Sequence, residues 1–211
     1  MRILVIGASG RVGSQLVRYL VEAGHQVLAA ARHTEAFQDM PQVERVEYNM
    51  AENQIDSQPW GSIDAVYFTA GSRGKNLLQV DAFGAVKAMK LATQLQAKRF
   101  ILLSSIFATE PEKWSDPNLV NITDYNIAKF FADHWLIHNT DLNYTIIQPG
   151  NLIDHPTTDG LIQIGVPKSI PNSIDNVART LVAVLEEPKA FRKIIQMGDG
   201  HMPIKEALQS L

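Results

Sequence analysis

The fold of this chain is decided at its N-terminus, by Met1-Arg2-Ile3-Leu4-Val5-Ile6-Gly7-Ala8-Ser9-Gly10-Arg11-Val12-Gly13. An apolar run typical of a buried strand is followed by three glycines and the amphipathic stretch Val12–Leu20. In such a turn the first glycine permits a tight bend, the second lets phosphates approach the backbone, and the third lets helix and strand pack closely. Unpaired N–H groups at the helix start then face an anion. The stretch therefore predicts a binding site for the pyrophosphate of a dinucleotide.

Segments typical of strands and helices alternate along most of the chain. The predicted later strands are Val27–Ala31, Val43–Tyr48, Ala65–Thr69, Phe100–Ser104 and Tyr144–Gln148. The predicted helices are Val12–Glu22, a short one at Glu35–Met40, Leu77–Gln96 and Ile122–Asn139. Continuous apolar strands suit burial on both faces, so the alternation predicts a parallel, doubly wound α/β sheet with helices on both faces. The length suits a single domain over residues 1–211.

The last third of the sequence is less regular. Residues 150–173 contain several glycines and prolines, including Pro156 and Pro167, and predict an irregular segment with one short strand at Leu161–Ile164. Ligands of such sheets lie beyond the carboxyl ends of the strands, so we expect this segment to wall a substrate pocket, with an ordinary surface loop as the alternative. After it we expect an N-cap at Ser173, a helix Ile174–Leu185, a strand Lys193–Met197 and a terminal helix Ile204–Leu211.

Composition narrows the class of protein. A net charge of −3, with 19 scattered Lys and Arg residues, offers no basic surface for nucleic acid or anionic membrane. Cysteine is absent, which excludes disulfides and Cys-ligated metals. The sequence has no apolar run of about 18 residues, and Met1–Ile6 is too short for a signal peptide core. We expect a cytoplasmic monomer or homodimer that binds a small-molecule substrate and neither nucleic acid nor membrane.

The residue at the end of the second strand indicates which dinucleotide is bound. NAD-selective sites usually carry Asp or Glu there, which accepts hydrogen bonds from the ribose 2′-hydroxyl. This chain has Arg32, whose planar guanidinium suits a 2′-phosphate, and Arg11 in the glycine turn could supply a second cation. The pair favours NADP(H) over NAD(H). His33 could assist, with a solvated histidine as the alternative.

A phenol and an ammonium stand four residues apart in Tyr125-Asn126-Ile127-Ala128-Lys129 and would project from one helix face. A nearby cation favours the phenolate form of a tyrosine, so the phenol can exchange a proton with a substrate oxygen while hydride moves to or from nicotinamide. The lysine can also hold ribose hydroxyls. Ser105, or Ser104 if the register shifts by one, follows the fifth strand and could bond the substrate oxygen. An accidental surface pair is the alternative for Tyr125 and Lys129.

His134 and His138 lie four apart on the same predicted helix, the spacing of a metal pair. A third ligand is missing from their neighbourhood in the sequence, and the aromatic residues around them suggest a packing face. We therefore expect no metal site. No serine lies in a nucleophile-elbow glycine pattern, which argues against a hydrolase.

Together these motifs resemble the short-chain dehydrogenase/reductase family. The resemblance is closest to its atypical, NAD(P)-dependent, epimerase/dehydratase-like branch, which includes compact flavin and biliverdin reductases. It covers nearly the whole chain, from Gly7 to the helix after Ser173, and implies a Rossmann-like fold. The matching elements are the turn Gly7-x-x-Gly10-x-x-Gly13, the fourth-helix pattern Val80-Asp81-x-x-Gly84, the serine, tyrosine and lysine at Ser105, Tyr125 and Lys129, and Gln148-Pro149-Gly150 in place of Arg-Pro-Gly.

The sequence departs from that branch at several positions. Asn49 stands where an aspartate usually accepts a hydrogen bond from the adenine amino group, and its amide carbonyl could still accept one. Gln148 replaces an arginine, which removes a charge near the pocket and weakens the case for an anionic substrate group. Asp81 stands where many relatives carry asparagine. The chain is also short for the substrate lobe of sugar-nucleotide epimerases, so a nucleotide-sugar substrate is not expected.

The motifs and the resemblance lead to an expected NADP(H)-dependent oxidoreductase. Hydride would pass between nicotinamide and a small carbonyl, alcohol, quinone or flavin-like substrate, with Tyr125 as general acid/base, Lys129 assisting it and Ser105 positioning the substrate oxygen. The expected cofactor contacts are Gly7, Ser9, Gly10, Arg11, Val12, Gly13, Arg32, Asn49, Met50, Thr69, Ala70, Gly71, Ser104, Lys129, Pro149 and Gly150. Two alternatives stay open: a non-enzymatic NADP(H) sensor that controls a partner protein, and a flavin or quinone reductase that does not need Tyr125.

Overall fold

A nine-stranded, mostly parallel sheet forms the centre of the computed structural model, which describes residues 1–52, 60–154 and 160–211. The parallel strands are β1 (Arg2–Ile6), β2 (Gln26–Ala31), β3 (Val43–Glu47), β4 (Ala65–Phe68), β5 (Arg99–Leu103), β6 (Tyr144–Pro149) and β10 (Lys193–Asp199). The short strands are β7 (Leu152–Ile153), β8 (Leu161–Ile164), β9 (Asn172–Ser173) and β11 (Met202–Pro203). The strand order is β11-β8-β10-β6-β5-β4-β1-β2-β3.

Strand β1 lies at the point where the chain changes direction across the sheet. Ile6 pairs with Ala30 of β2 on one side and with Phe68 of β4 on the other. The connections after β1 and after β4 lead to opposite sides of this point, which leaves a crevice beyond their carboxyl ends. The fold therefore places a binding groove next to the glycine turn.

Helices cover both faces of the sheet, and they are α1 (Arg11–Glu22), α2 (Phe83–Gln94), α3 (Thr123–Asn139), α4 (Ile174–Ala183) and α5 (Ile204–Gln209). Alternate residues of β1 point to opposite faces, as the two-residue period of a strand requires. Val5 packs with α1 and α4 in one apolar cluster, whereas Leu4 packs with α2 and α3 in the other. Within the described ranges, no helix combines the length and apolar character needed to span a bilayer.

The predicted doubly wound α/β fold is confirmed, with corrections at one edge and in two helices. Strands β8 and β11 pair antiparallel, so the sheet is mixed beyond β10. The single helix predicted over Leu77–Gln96 is a π-helical turn, Leu77–Ala82, followed by α2, and the turn buries Asp81, which accepts a hydrogen bond from the Ser72 N–H. At Glu35–Met40 only a 3₁₀ turn, Glu35–Phe37, forms.

Other predicted elements agree with the structure to within one or two residues at their ends. The hydroxyl of Ser173 accepts the N–H of Asn176, so the predicted N-cap of α4 is confirmed. The irregular segment 150–173 contains the predicted strand β8 and an additional parallel pair, β7 with β9. Two-residue strands carry no periodicity, which is why the pattern did not predict this pair. Pro156 lies outside the described residues.

A buried arginine ties the start of β5 to the end of α4. The guanidinium of Arg99 donates to the carbonyls of Val184 at 3.0 Å and Leu185 at 3.1 Å, and it stacks 4.2 Å from the ring of Phe191. It also donates to the hydroxyl of Thr145. Burial lowers the pKa of Arg99 to about 10, so the group keeps its charge at neutral pH. A cation here satisfies carbonyls that the helix terminus leaves unpaired and opposes its dipole.

Arg99→Met is expected to lower the free energy of unfolding by about 3–5 kcal/mol, because several buried carbonyls lose their donor. Arg45→Met, on the exposed side of β3, is the matched control and should change stability by less than about 0.5 kcal/mol. Urea denaturation followed by circular dichroism measures both. Equal losses in the two variants would contradict the capping role of Arg99.

Candidate functional site

The glycine turn between β1 and α1 lies against the end of β4. A Cβ at Gly7, whose φ is +90°, would come within 2.4 Å of the Ala70 nitrogen, and one at Gly13 would come within 2.2 Å of the Gly7 oxygen. Both positions therefore require glycine. Gly10 is the N-cap of α1 and offers no side chain to satisfy the first N–H groups of the helix. These groups and the helix dipole suit an anion.

Two adjoining cavities flank this turn. The β2-side cavity, of about 490 Å³, lies at the ends of β1, β2 and β3, and the α3-side cavity, of about 620 Å³, lies between α3 and the ends of β5 and β6. Both are lined by Gly10, Thr69, Ala70, Gly71 and Arg73. The two cavities therefore form a continuous groove across the N-terminus of α1.

The predicted contact residues divide between these cavities. Gly7, Ser9, Arg32, Asn49 and Met50 line the β2-side cavity, and Arg11, Val12, Ser104, Ser105, Tyr125, Lys129, Pro149 and Gly150 line the α3-side cavity. Gly10 and Thr69–Gly71 line both. Gly13 lines neither, because it packs against the carbonyls of Gly7 and Ala8.

In the β2-side cavity the guanidinium of Arg32 is exposed, and the described part of the chain gives it no ion pair. We expected the side-chain oxygen of Asn49, Oδ1, to accept a hydrogen bond from the adenine amino group. In the structure it accepts a hydrogen bond from the Ala51 N–H at 3.2 Å. Its amide nitrogen donates to Glu52 at 2.9 Å. The loop that carries Met50 is held by the buried ammonium of Lys87, which donates to two of its carbonyls. At the end of β2 this cavity thus presents the unpaired guanidinium of Arg32, beside a wall that Lys87 holds through two hydrogen bonds.

Arg11 does not join Arg32, contrary to the expectation of two cations around one phosphate. Its guanidinium donates to Asp154 at 2.8 Å and to the carbonyl of Leu152 at 3.5 Å, on the far side of the turn. The carboxylate of Asp154 attracts the side chain toward the α3-side cavity. Arg32 therefore stands in the β2-side cavity without Arg11.

In the α3-side cavity Tyr125 is half-buried and Lys129 is 3% exposed. The Lys129 Nζ lies 5.6 Å from the centre of the Tyr125 ring and donates to the Leu103 carbonyl at 3.2 Å. Helical spacing thus brings phenol and ammonium together at the end of β5, as the sequence predicted. The ammonium faces the space that a ligand of the groove would occupy.

The two serines after β5 differ in what they contact. The hydroxyl of Ser104 donates to the Asp133 carboxylate at 2.8 Å and is therefore occupied. The hydroxyl of Ser105 has no hydrogen bond to any described residue and lines the α3-side cavity. Ser105 is the serine whose hydroxyl is available to a ligand.

Gln148 lies beneath the site and not in it. Its side chain is completely buried and donates to Asp133 at 2.9 Å, and it lines neither cavity. Gln148 is therefore not a side chain that would contact a substrate.

The outer wall of the α3-side cavity was not predicted residue by residue. Its members from the segments before α3 and after β6 are Ile106, Asn118, Leu119, Ile122, Asn151, Leu152 and Ser169. A Cβ at Gly150 would meet the Ile170 oxygen at 1.9 Å, so glycine allows the two sides of this wall to pack. Part of the predicted pocket segment therefore lines the cavity, whereas residues 155–159 lie outside the described residues. The segments lack a helical or strand period that could have revealed these residues.

Arg73 also lines the groove, although no sequence motif pointed to it. It lines both cavities, and no described residue forms an ion pair with it. Its φ of +54° is followed by a φ of +79° at Gly74, a left-handed turn after β4. The cluster of Gly71, Ser72 and Gly74 after a predicted strand is a turn signal that could have identified this loop.

The histidine pair on α3 shows stacked rings, with centroids of His134 and His138 5.4 Å apart. In the described parts of the chain no group of three His, Cys, Asp or Glu side chains could hold a metal ion. Burial and the neighbouring His138 lower the pKa of His134.

Comparison with known proteins gives matches over most or all of the chain. Residues 7–188 match the model of a family described as NAD(P)H-binding. The uncharacterized sugar epimerase YhfK of Bacillus subtilis is 33% identical over all of both chains. The structure of the oxidoreductase ylbE from Lactococcus lactis superposes with a TM-score of 0.92 at 40% identity, covering 100% of this chain and 96% of that one. A short-chain dehydrogenase/reductase from Veillonella parvula in complex with NADP shares the fold, with a TM-score of 0.72 at 18% identity and 94% coverage of both chains.

Ser104→Ala is expected to lower the free energy of unfolding at pH 8 by about 1–3 kcal/mol, because the buried carboxylate of Asp133 loses a donor. Ser105→Ala is the matched control and should stay within about 0.5 kcal/mol of the parent. Urea titration at pH 8 measures the difference. A larger loss in Ser105→Ala would contradict the assignment of the two hydroxyls.

Proposed function

This chain belongs to the NAD(P)H-binding family, and we propose that it is an NADP(H)-dependent oxidoreductase whose general acid/base is Tyr125. One observation carries the proposal. Ser105, Tyr125 and Lys129 face a single cavity that continues into the groove over the N-terminus of α1. A proton donor and its cation thus stand beside a cleft suited to a dinucleotide.

The groove fits a dinucleotide at each of its parts. The close approach of Gly7 to Ala70 and the uncapped N-terminus of α1 suit a pyrophosphate, which needs N–H donors and no intervening side chain. The β2-side cavity would hold the adenosine half, and the α3-side cavity would hold the nicotinamide half. When bound, the nicotinamide supplies or accepts the hydride.

The side chains of the α3-side cavity divide the remaining chemistry among them. In the direction of reduction, Ser105 donates a hydrogen bond to the substrate oxygen and so orients it. Tyr125 gives its hydroxyl proton to that oxygen as negative charge develops there. Lys129, held by the Leu103 carbonyl, stabilises the phenolate that remains and can hold ribose hydroxyls.

The wall of the α3-side cavity supports a substrate that is largely apolar. Ile106, Leu119, Ile122 and Leu152 offer apolar surface, and Asn118 and Asn151 add amide groups at its edge. A small carbonyl or alcohol, a quinone or a flavin-like molecule suits this lining. The name of the YhfK relative points to a sugar, and the name of the ylbE relative to redox chemistry. The position of Tyr125 beside an apolar wall supports redox chemistry.

Arg32 supports NADP(H) as the cofactor. Arg32 follows directly on β2, and no described residue forms an ion pair with its exposed guanidinium, to which a 2′-phosphate would supply two charge-assisted acceptors. The other exposed cations that line the β2-side cavity, Arg73 and Lys75, lie on the loop after β4. Because Arg11 is engaged by Asp154, the preference for the phosphate would depend on Arg32 and not on Arg11.

Tyr125→Phe is expected to lower kcat for a carbonyl substrate by about a hundredfold or more, because the proton donor is lost. Its NADPH affinity should stay within about twofold, since the ring and its neighbours remain. Tyr144→Phe, a partly exposed tyrosine on β6, is the control and should leave turnover unchanged. NADPH oxidation against a panel of carbonyls, quinones and flavins measures kcat, and fluorescence titration measures affinity.

Other results of this panel lead to different functions. Full turnover of Tyr125→Phe with flavins or quinones would indicate a reductase that depends only on nicotinamide proximity. Tight NADPH binding by the parent protein without turnover on any acceptor would contradict the enzyme and favour an NADP(H) sensor.

Arg32→Gln is expected to weaken NADPH binding by about tenfold or more while changing NADH binding by less than about twofold, because only NADPH carries the 2′-phosphate. Arg11→Gln removes an equal charge at the other side of the turn and should leave the NADPH-to-NADH affinity ratio unchanged. Titration calorimetry with both cofactors measures the ratio. An equal change of the ratio in both variants would contradict the assignment.

A further inference from the structure

Beneath the α3-side cavity a carboxyl group is buried that the proposed mechanism does not use. Asp133 has no exposed surface and follows Tyr125 and Lys129 at intervals of four residues, so the three side chains share one face of α3. Phenol, ammonium and carboxyl are therefore aligned from the cavity into the interior.

The hydrogen bonds of this carboxyl are all made by one of its oxygens. Asp133 Oδ2 accepts from the Ser104 hydroxyl at 2.8 Å and from the Gln148 amide at 2.9 Å. Among the described residues, the buried Oδ1 of Asp133 and the buried Oε1 of Gln148 have no hydrogen-bond partner. Two acceptor atoms in one small cluster therefore lack a donor, and leaving buried polar atoms unpaired is costly.

A single proton on Asp133 would give both of these atoms a hydrogen-bond partner. An ionised carboxylate can only accept hydrogen bonds, whereas a carboxylic acid has one O–H to donate. An amide that donates to one carboxyl oxygen can accept from the other, as in an acid–amide pair. With a proton on Oδ1, Asp133 would offer the donor that Gln148 Oε1 lacks. Burial raises the pKa of Asp133 to about 6, and the bonds from Ser104 and Gln148 and the charge of Lys129 act in the opposite direction.

The charged surroundings of Asp133 are simple. Lys129, one turn earlier on α3, is the cation that acts on it, and strands β5 and β6 contribute only the uncharged Ser104 and Gln148. The π-helical turn and α2 pack against α3, and their buried ionisable side chains are directed elsewhere: Asp81 binds the Ser72 N–H, and Lys87 binds the carbonyls of Met50 and Glu52. The charge of Asp133 is therefore coupled chiefly to Lys129.

We propose that Asp133 is a proton-carrying positioning residue that governs how much of the charge of Lys129 acts on Tyr125. When Asp133 is neutral it pairs with Gln148, and the ammonium of Lys129 acts fully on the phenol. When Asp133 is ionised, its negative charge offsets part of the positive charge of Lys129 at the phenol. The effect is strong because charges in the protein interior are weakly screened. This role rests on the proposed function, since it presumes that Tyr125 gives a proton to substrate.

The proton has a consequence for stability that needs no activity. A carboxyl whose pKa is higher in the folded than in the unfolded state stabilises the fold at low pH, and this contribution is lost as the pH rises through about 6. Asp133→Asn mimics the neutral acid and can donate to Gln148 at every pH. The melting temperature of Asp133→Asn minus that of the parent should therefore rise by on the order of 5 °C between pH 4 and pH 8.

The second consequence concerns turnover. In the parent protein kcat for reduction is expected to fall on the order of fivefold as the pH rises through about 6, because Lys129 loses part of its effect on Tyr125. In Asp133→Asn the ratio of its kcat to that of the parent should rise over the same interval. A purely structural role of Asp133 would leave that ratio constant with pH.

The experiment measures melting temperature and kcat of both proteins from pH 4 to pH 8, with ¹³C NMR of the aspartate carboxyls in the parent as a readout that needs no variant. The expected result is a pH-dependent difference in melting temperature and one buried carboxyl that titrates near pH 6. Carboxyls that all titrate below pH 5, or a flat difference in melting temperature, would overturn the proton on Asp133.

A pH-dependent melting difference with a constant kcat ratio would overturn the coupling to Lys129. If the parent turns over no acceptor, the proposed function fails by itself. NADPH affinity, measured by fluorescence over the same pH range, then replaces kcat as the readout, because Lys129 also lies where the ribose would bind. An affinity ratio between the two proteins that does not vary with pH would overturn the coupling in that case.

Discussion

The close approach of the glycine turn to the end of β4 is the contact on which the site depends. With only 2.4 Å between a would-be Cβ of Gly7 and the Ala70 nitrogen, any side chain would separate β1 from β4 and fill the crevice between them. Because the two backbones touch, the cavities on either side join into one groove lined by Gly10 and Thr69–Gly71. Backbone proximity, more than any side chain, thus creates the place where a dinucleotide would lie.

Around that groove, helix α3 performs two tasks at once. Its apolar residues, among them Ala132 and Leu136, pack into the core on one face of the sheet. On its polar edge Tyr125 and Lys129 face the cavity, while Asp133 is bonded to side chains at the ends of β5 and β6. The hydrogen bonds from Ser104 and Gln148 to Asp133 therefore anchor the helix that also positions Tyr125 and Lys129. Stability and chemistry are coupled at this edge.

The sequence predicted what depends on local pattern. Strand runs and helix periods identified the doubly wound sheet, and the four-residue spacing identified the face that Tyr125 and Lys129 share. What it could not predict depends on distant residues meeting in space. Arg11 forms an ion pair with Asp154, 143 positions away, and the sequence around neither residue predicts this contact. Gln148 matches a motif position, yet its burial against Asp133 follows from how β6 and α3 pack, which the motif does not encode.

Transfer of hydrogen from the cofactor itself to a substrate would establish that the protein is an NADP(H)-dependent oxidoreductase. NADPH deuterated at C4 of the nicotinamide would be incubated with the protein and an apolar carbonyl compound, whose reduction leaves the transferred deuterium on carbon. The product would be analysed by mass spectrometry. We expect deuterium from one face of the ring in the reduced product, and a slower rate than for unlabelled NADPH. Saturable binding of NADPH, with no deuterium in any carbonyl product and no oxidation of NADPH by quinones or flavins, would contradict this function.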